Sequence, residues 1–388
     1  MTLILVDADG VVLGALPAYD AELPWWQETS DVVRLARDLH GVDVEVLRLL
    51  DTERAVPHGG AVSYLAEVAG PVPLGLIPVG VGLVELAQRH EPLRAGYAEL
   101  GGPARSLEWA RSILGADAVA VQQRTWNLSA IWALRTPNGT ISWLKQVPTF
   151  FRHEAVVLRW LEARVPDLAP HVIAIGDEGR MLLADVPGDD LYAADAATRA
   201  FLVGATHPIA LAALDDVDTL VSRGVPDRRG DALATWIRAA LHDRIGAHPA
   251  VTLLDRLDAV LAAVAECGLP DTLVHGDAHP GNVRRDGERL AVLDWGDSFV
   301  GNPAFDALAL VAQLDERDQE RVLERWAGLW RDTVPGSEPS RALALLRPVA
   351  ALRSAAVYAE FLARIEPTQR RFHDADVPEQ LDAAAAYA

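Results

Sequence analysis

Lysine is nearly absent from this chain of 388 residues, because only Lys145 among its 35 lysine and arginine residues is a lysine. Lysine is a compact charge on a flexible stem, whereas arginine is a wide planar fork. The exception is therefore either a position that the fork does not fit or a chance occurrence. The composition leaves both interpretations open.

Cysteine is also scarce, since Cys267 is the only one. A single thiol excludes an intrachain disulfide and any cysteine-rich metal site. The sequence has no run of about 18 uncharged apolar residues. The first residues, MTLILVDADGVV, lack the basic segment of a signal peptide. We therefore expect no transmembrane helix and no leader, and we expect a cytoplasmic protein.

Basic residues are outnumbered by acidic residues, and the formal net charge is −20. This balance argues against non-specific nucleic-acid binding, which needs a basic face, and against docking on anionic lipid. It does not exclude a local basic pocket, and it suits a cationic or neutral small molecule at least as well as an anionic one. With 388 residues, half of them hydrophobic, two or three domains are expected.

Residues 1–102 have the pattern of a small α+β domain. Two apolar runs flank Asp9-Gly10, which predicts a β-hairpin. The segment TSDVVRLARDLHG has helical spacing, with Ser30 as the expected N-cap and Gly41 at the C-cap. VDVEVLRLL and AVSYLAEV then alternate as strands.

The rest of the chain divides into two further parts. Residues 103–188 predict a helix, three strands joined by turns, an amphipathic helix and a strand pair. Residues 189–388 are helical almost throughout, apart from one segment at 271–306 that predicts strands and loops. No internal repeat or low-complexity tract is present.

That non-helical segment carries the polar residues that suggest chemistry. Asp277, Asn282 and Asp294 occupy loop positions around a short hairpin that turns at Asp286-Gly287. Carboxylate and amide oxygens suit Mg²⁺, which prefers one or two carboxylates plus substrate phosphates. Asp277 and Asn282 also have the spacing of a catalytic base and a metal-binding amide in phosphoryl transfer. The alternative is that the aspartates are ordinary turn residues.

The motif HGDAHPGN, followed by LDW, resembles that of the aminoglycoside phosphotransferase and choline kinase-like family, relatives of the protein kinases. The family pattern is H-G-D-x-H-x-x-N and then an Asp after a short hairpin. The matched positions are His275, Gly276, Asp277, His279, Asn282 and Asp294. The resemblance runs from about residue 115 to the C-terminal helices and leaves out the first 100 residues.

The resemblance implies an α+β, bilobal protein-kinase-like fold. An antiparallel-sheet N-lobe at 103–188 would bind the nucleotide, and a mainly helical C-lobe at 189–388 would carry the catalytic loop at 275–297. Residues 1–102 would form an N-terminal cap, as in maltokinases and actinobacterial glucosamine kinases. A degenerate Nudix-like domain is the alternative for the cap, and it would be catalytically silent because no glutamate cluster is present.

Roles for the matched residues follow from the resemblance. Asp277 would orient or deprotonate the acceptor hydroxyl, while Asn282 and Asp294 would hold Mg²⁺ against the nucleotide phosphates. His279 would either hydrogen-bond within the loop or contact phosphate as part of the catalytic set. His275 would support the loop backbone.

Nucleotide contacts are implied in the N-lobe. Lys145, late in the strand TISWLK, would meet the phosphates and be held by Glu154 at the start of the next helix. In the loop RTWNLSA, Asn127 and Ser129 would donate hydrogen bonds to phosphate or only shape a tight turn. Backbone groups from Ala184 to Val186 would meet the adenine edge.

Further acidic residues follow the motif. Asp306 is expected to cap a helix or brace the catalytic loop, and Asp297 belongs either to the acceptor site or to a surface turn. Three acidic residues of the C-terminal helices either line a site for a cationic acceptor or are solvated: Asp315, Glu360 and Glu366.

The function implied is an ATP- or GTP-dependent and Mg²⁺-dependent kinase that phosphorylates a small-molecule hydroxyl. An aminoglycoside, an amino sugar, a sugar and a choline-like amino alcohol all remain open as acceptor. The alternatives are a pseudokinase that binds nucleotide or a partner without turnover, and a protein kinase, against which the missing glycine-rich loop argues. Oligomeric state is not indicated.

Overall fold

A computed structural model describes residues 1–55, 59–72 and 74–388. These residues form two compact units. Unit 1 consists of Met1–Arg152, Val172–Asp185 and Arg364–Asp374, and unit 2 consists of His153–His171, Val186–Ala363 and Ala375–Ala388. The boundaries predicted at residues 102 and 188 stay a prediction.

The first sheet of unit 1 has four strands in the order β2-β1-β4-β3, and β1 and β4 are parallel. The strands are β1 Thr2–Val6, β2 Val12–Ala15, β3 Val44–Thr52 and β4 Val62–Val68. The predicted hairpin is confirmed, since β1 and β2 pair in antiparallel fashion. Its turn is stabilised by the Asp7 carboxylate, which accepts the N–H groups of Asp9 and Val11.

The described residues of unit 1 form three helices: α1 Ser30–His40, α2 Val81–Gln88 and α3 Gly102–Leu114. The predicted N-cap at Ser30 is wrong by one residue, because Thr29 occupies that position and its side chain makes no capping bond. Gly41 ends α1 as predicted, with a positive φ of 65°. The Gly41 N–H donates to the Arg37 carbonyl, and the Val42 N–H donates to the Ala36 carbonyl.

The second sheet of unit 1 has five strands in the order β5-β6-β7-β9-β8, and every pair is antiparallel. The strands are β5 Val119–Thr125, β6 Ala130–Arg135, β7 Ile141–Gln146, β8 Val172–Ile175 and β9 Arg180–Ala184. Trp132 and Leu144 lie fully buried beneath it with Leu107 of α3. The antiparallel sheet predicted for this region, and the position of Lys145 late in a strand, are confirmed.

Unit 2 is mainly helical, as predicted. Its helices are α4 Glu154–Arg164, α5 Ala196–Ala213, α6 Val217–Ser222, α7 Gly230–Ile245, α8 Val251–Glu266, α9 Ala304–Val311, α10 Glu316–Thr333, α11 Pro339–Arg364 and α12 Asp376–Ala385. Its strands are β10 Asp189–Asp190, β11 Thr272–Val274, β12 Val283–Asp286, β13 Arg289–Val292 and β14 Phe299–Gly301. The α+β class is confirmed.

Helix α11 is long and apolar enough to cross a membrane by length and composition alone. Half of its most apolar window is buried inside the protein, however, and Leu352, Ala355 and Ala356 are fully buried. Its apolar character is therefore accounted for by packing within the protein.

Candidate active site

Residues 275–282 are the first part of the loop predicted at 275–297; from here on they alone are called the catalytic loop, and they follow directly on β11. The backbone N–H groups of His275 and Gly276 donate to the two carboxylate oxygens of Asp306, at 2.8 and 3.0 Å. Burial raises the pKa of Asp306, while His275 and these two hydrogen bonds act in the opposite direction. Asp306 lies in the first turn of α9, so it braces the catalytic loop as predicted.

The buried His275 ring joins two backbone segments. Its Nε2 lies 2.9 Å from the carbonyl oxygen of Leu293, and its Nδ1 accepts the N–H of Asp277 at 3.3 Å. An Nδ1 that accepts and an Nε2 that faces a carbonyl define the neutral ring with its proton on Nε2. The ring packs on Trp295 with centroids 4.5 Å apart. His275 therefore supports the loop backbone.

Asp277 and Asn282 are brought together across the catalytic loop. The Asn282 Nδ2 donates to the Asp277 carbonyl oxygen at 2.9 Å and to its Oδ2 at 3.0 Å. The Asp277 side chain is 51% exposed, so a ligand can reach its carboxylate. The Asn282 Oδ1 accepts no hydrogen bond from the residues that the structure describes, which leaves this oxygen available to a ligand.

His279 is held within the same loop. Its Nδ1 accepts the N–H of Gly281 at 3.0 Å, and its Nε2 lies 3.7 Å from the Asp277 Oδ2. The Tyr192 ring packs edge-on against it at 5.9 Å. Hydrogen bonding within the loop, one of the two predicted roles, is therefore present. The distance to Asp277 is too long for a direct hydrogen bond.

A side chain has no room at Gly276 of the loop, where the obstacle is backbone. Its φ is +86°, and a Cβ there would lie 2.1 Å from the carbonyl oxygen of Asp297. Arg353 of α11 closes the other side, where its Nη1 donates to the Gly276 carbonyl at 3.2 Å and its guanidinium stacks over Phe299 at 4.5 Å. Nothing in the sequence indicates Arg353, because an arginine in a helix carries no local sign that it will be buried.

Asp294 follows the hairpin of β12 and β13 and adopts a left-handed backbone conformation, with φ 62° and ψ 64°. A non-glycine residue in that region is uncommon and is retained where surrounding contacts hold it. The next residue supplies one such contact, since the Trp295 N–H donates to Oε1 of Glu154 at 3.2 Å. Glu154, in the first turn of α4, is 1% exposed.

The polar residues present are chemically suited to a magnesium ion that binds together with a nucleotide. Asn282 and Asp294 offer an amide and a carboxylate oxygen, which are hard ligands. In the described part of the chain no group of three or more His, Cys, Asp or Glu could hold a metal. A divalent cation here would thus depend on substrate phosphates for most of its ligands.

Asp297 lies beside the catalytic loop. Burial and the nearby Asp277 carboxylate raise its pKa to about 6, against the opposing effect of Arg353. Its surroundings exclude the surface turn that the sequence left open.

Burial raises the pKa of Tyr358 to about 12, with Asp376, Asp277 and other carboxylates contributing. Several carboxylates of unit 2 thus act on Tyr358, although burial has the larger effect.

The predicted nucleotide residues of the N-lobe lie on strands and turns of unit 1. Lys145 in β7 pairs with Ile131 of β6 and Met181 of β9, and is 8% exposed. Because Glu154 belongs to unit 2, the predicted Lys145–Glu154 pair stays a prediction.

The loop between β5 and β6 is a tight turn, in which the Trp126 N–H donates to the Ser129 carbonyl at 3.0 Å. The Asn127 Nδ2 lies 3.1 Å from Nε2 of His373. Ala184 ends β9, and Val186 begins the next stretch of unit 2. Contact of these residues with nucleotide stays a prediction.

The three acidic residues of the C-terminal helices each have a partner within the fold. Asp315 caps α10 by accepting the Asp318 N–H, and Glu360 accepts the indole N–H of Trp236 at 2.9 Å. Glu366 is buried and bonds the guanidinium of a unit 1 arginine at 2.8 Å.

A cavity of about 100 Å³ in unit 2 lies against the catalytic loop. His279 and Asn282 line it together with apolar residues of α5, α9 and α10, but Asp277 does not. It is therefore not the place from which an acceptor hydroxyl reaches the Asp277 carboxylate.

The sequence model of the phosphotransferase enzyme family matches residues 114–344, more than half of the chain. The chain belongs to the phosphotransferase enzyme family. The match contains the whole catalytic loop and both halves of the hairpin after it. The predicted enzyme class, a phosphotransferase with an alcohol group as acceptor, is confirmed. Comparison with curated protein sequences gives no significant match.

Solved structures of similar phosphotransferases share the fold. Choline kinase LicA from Streptococcus pneumoniae aligns with a TM-score of 0.53 at 14% identity, over 74% of this chain and 99% of the other. Macrolide 2'-phosphotransferase MphH from Brachybacterium faecium aligns at 0.50 and 21% identity, over 73% and 96%. The GDP complex of aminoglycoside 2'-phosphotransferase-IIIa aligns at 0.50 and 15% identity, over 73% and 99%. The predicted kinase-like fold is confirmed.

Proposed function

We propose that this phosphotransferase transfers the γ-phosphoryl group of ATP or GTP to a hydroxyl of a small molecule, with Mg²⁺ bound alongside the nucleotide. The observation that carries the proposal is the pair of Asp277 and Asn282. The amide donates two hydrogen bonds to the aspartate, and the carboxylate stays half exposed at the end of a braced loop.

Asp277 is the proposed base. The acceptor oxygen forms the new bond to the γ-phosphorus, the bond to the bridging β–γ oxygen breaks, and the hydroxyl proton goes to the Asp277 carboxylate. Asn282 fixes the carboxylate, so little of its freedom has to be lost when the acceptor binds. His279, whose Nε2 lies 3.7 Å from the carboxylate, adds a polar group beside the reacting oxygen.

Asn282 and Asp294 are the proposed magnesium ligands. Mg²⁺ would neutralise charge on the β- and γ-phosphates and so favour departure of the nucleoside diphosphate. Lys145, held by Glu154, would add one positive charge on the phosphates. Asn127 and Ser129 would cover the phosphates, and the backbone from Ala184 to Val186 would bond the base.

The acceptor is proposed to carry an amine as well as a hydroxyl. Four carboxylates add to the rise in the pKa of Tyr358. In order of decreasing contribution they are Asp376, Asp277, Asp297 and Glu379. The net charge of −20 favours a cation in the same way. The names of the structural relatives, which include a choline kinase and an aminoglycoside phosphotransferase, agree with such an acceptor.

The expected location of the protein and the expected roles of its domains follow from the use of a nucleoside triphosphate as phosphoryl donor. Use of ATP or GTP supports the predicted cytoplasmic location. Residues 1–102 are proposed to be a cap on the N-lobe at 103–188, and residues 189–388 to be the C-lobe that holds the acceptor.

The test is a screen of ADP and GDP release with macrolides, aminoglycosides, amino sugars, sugars and amino alcohols, followed by analysis of the phosphorylated product. For the best acceptor, the variant D277N is expected to lose at least about 100-fold in kcat, in the range of a missing general base. Its nucleotide dissociation constant is expected to stay near wild type. D315N is the matched control, because Asp315 caps α10.

Retained turnover in D277N would remove Asp277 as the base. Nucleotide binding without phosphorylation of any acceptor, and without nucleotide hydrolysis, would instead favour the alternative of a silent binding module.

A further inference from the structure

A segment near the C-terminus belongs to unit 1, although the residues before and after it belong to unit 2. This segment, residues 364–374, contains a 3₁₀ helix at Pro367–His373 and is here called the strap. Of its residues only Glu366 was named from the sequence, and no proposed catalytic step uses the segment.

The strap is anchored to β3 and to the segment that precedes α3. The Gln369 Nε2 donates to the Leu49 carbonyl at 2.8 Å, and the guanidinium of Arg371 donates to the Leu50 carbonyl. Glu366 pairs with Arg94 at 2.8 Å, and both side chains are only 5% exposed. A buried pair with these further bonds resists displacement, since breaking it leaves a charge in a poorly hydrated place.

The other side of the strap holds the β5–β6 loop, residues 126–129. The Trp126 indole N–H donates to the Gln369 Oε1 at 3.3 Å, and the Trp126 ring stacks on His373 with centroids 4.6 Å apart and planes 23° apart. Gln369 thus bonds β3 with its amide nitrogen and the loop with its amide oxygen. The Tyr97 hydroxyl donates to the Trp126 carbonyl at 2.7 Å from a third direction.

His373 also contacts the residue next to Trp126. The Asn127 Nδ2 lies 3.1 Å from the His373 Nε2. Because an amide nitrogen only donates, Nε2 is the acceptor, and the ring proton of neutral His373 is on Nδ1. The bond fixes the Asn127 amide and directs its second N–H and its oxygen away from the ring.

We propose that His373 is a positioning residue: it holds Asn127, and with it the β5–β6 loop, in the conformation that receives the nucleotide phosphates. The inference rests on the proposed function, in which this loop covers the phosphates. The loop contains no glycine, so its backbone can approach phosphate only in a defined conformation. By holding the loop before nucleotide arrives, the strap lowers the ordering cost of binding.

The test separates the hydrogen bond from the ring stack. H373F keeps an aromatic ring against Trp126 but cannot accept from Asn127, whereas H373Q keeps an oxygen acceptor and loses the ring. We expect H373F to raise the nucleotide dissociation constant about threefold to tenfold, as expected for a lost preorganising contact. H373Q is expected to stay near wild type. Titration calorimetry with the nucleotide and magnesium measures both.

A kinetic split and a double-mutant cycle show whether His373 acts through Asn127. H373F should raise the KM for nucleotide while the KM for the acceptor stays unchanged. In an N127A background, H373F should have no further effect on nucleotide affinity. The control is H242F, the same substitution at a histidine whose side chain is 83% exposed on α7.

Wild-type affinity in folded H373F would overturn the inference, as would an equal loss in H373Q or an undiminished loss in the N127A background. N127A removes the same bond from the other partner, so it must weaken nucleotide binding even if H373F does not fold. If the wild-type protein binds no nucleotide at all, the proposed function fails and the role of His373 fails with it; if only the variants behave otherwise than expected, the role of His373 alone fails.

Discussion

Lys145 sits between two neighbouring strands of the five-stranded sheet and is almost fully buried. The side chains at the paired positions, Ile131 of β6 and Met181 of β9, flank such a side chain on the same face of the sheet. A single ammonium nitrogen with rotatable donors fits in such a place, and a guanidinium brings two more nitrogen atoms in a rigid plane. The structure therefore supports the interpretation that the lone lysine reflects a local requirement.

The substitution K145R tests this at the scale of one residue. We expect kcat/KM for the nucleotide to fall about tenfold or more, because charge is kept and only its shape changes. Steady-state kinetics with varied nucleotide measures it. The matched control is R135K at the exposed end of β6, which should have wild-type kinetics. Equal activity of K145R would mean that lysine at this position is a chance occurrence.

The catalytic loop is an element whose shape comes from partners far away in sequence. Asp306 of α9 bonds its first two N–H groups, Arg353 of α11 bonds the Gly276 carbonyl, and the carbonyl of Leu293 bonds His275. Each partner satisfies a backbone or ring group that would otherwise be buried without a hydrogen bond. The loop is therefore held by hydrogen bonds that do not need a substrate.

Gly276 provides the test at this scale. In G276A the new methyl group would meet the Asp297 carbonyl at 2.1 Å, so the loop must shift and carry Asp277 with it. We expect lower stability and a large loss of kcat, measured by thermal unfolding and by the transfer assay. The control is G287A in the β12–β13 turn. There φ is also positive, but beyond its chain neighbours a new Cβ would have no atom within 4 Å.

G287A should cost only the left-handed strain of about 1–2 kcal/mol and leave kcat unchanged. If both variants lose stability and activity to the same extent, the close approach at Gly276 is not what constrains the loop.

At the scale of the whole molecule, the burial of single carboxyl groups makes the free energy of unfolding depend on pH. Glu45 of β3 accepts the indole N–H of Trp132 of β6 at 2.8 Å, so it joins the two sheets of unit 1. Burial raises its pKa to about 7 from an ordinary value of 4.5, although the Trp132 bond and Arg111 act in the opposite direction.

Between pH 4.5 and 7 the folded protein keeps the Glu45 proton that the unfolded chain has lost. The free energy of unfolding therefore falls as pH rises through this range. The variant E45Q has no proton to lose and can still accept from Trp132. We expect the melting temperature of E45Q to exceed that of wild type, and we expect this difference to be larger at pH 8 than at pH 5.

Calorimetric melting at the two pH values measures this difference, with E85Q at the exposed Glu85 of α2 as control. A difference between E45Q and wild type that does not change with pH would show that Glu45 does not titrate in this range.

The local pattern of the sequence predicted most of the elements near the site. The hairpin at Asp9-Gly10, the strand that carries Lys145 and the hairpin at Asp286-Gly287 all depend on residues next to one another. Turn residues and alternating apolar side chains encode such elements directly. The catalytic motif was recognisable for the same reason, since its residues lie within about 20 positions.

Only the tertiary structure decided which distant groups hold the catalytic loop of unit 2 and the β5–β6 loop of unit 1. Arg353 and His373 lie in a helix and a 3₁₀ helix whose local sequence has no sign of their partners, Gly276 and Asn127. Burial and pairing of such side chains depend on how the chain closes over long separations, and the cost of an unpaired polar group selects the arrangement. The sequence thus determined the chemistry available to this protein, and the packing of remote segments determined how the reacting groups are held.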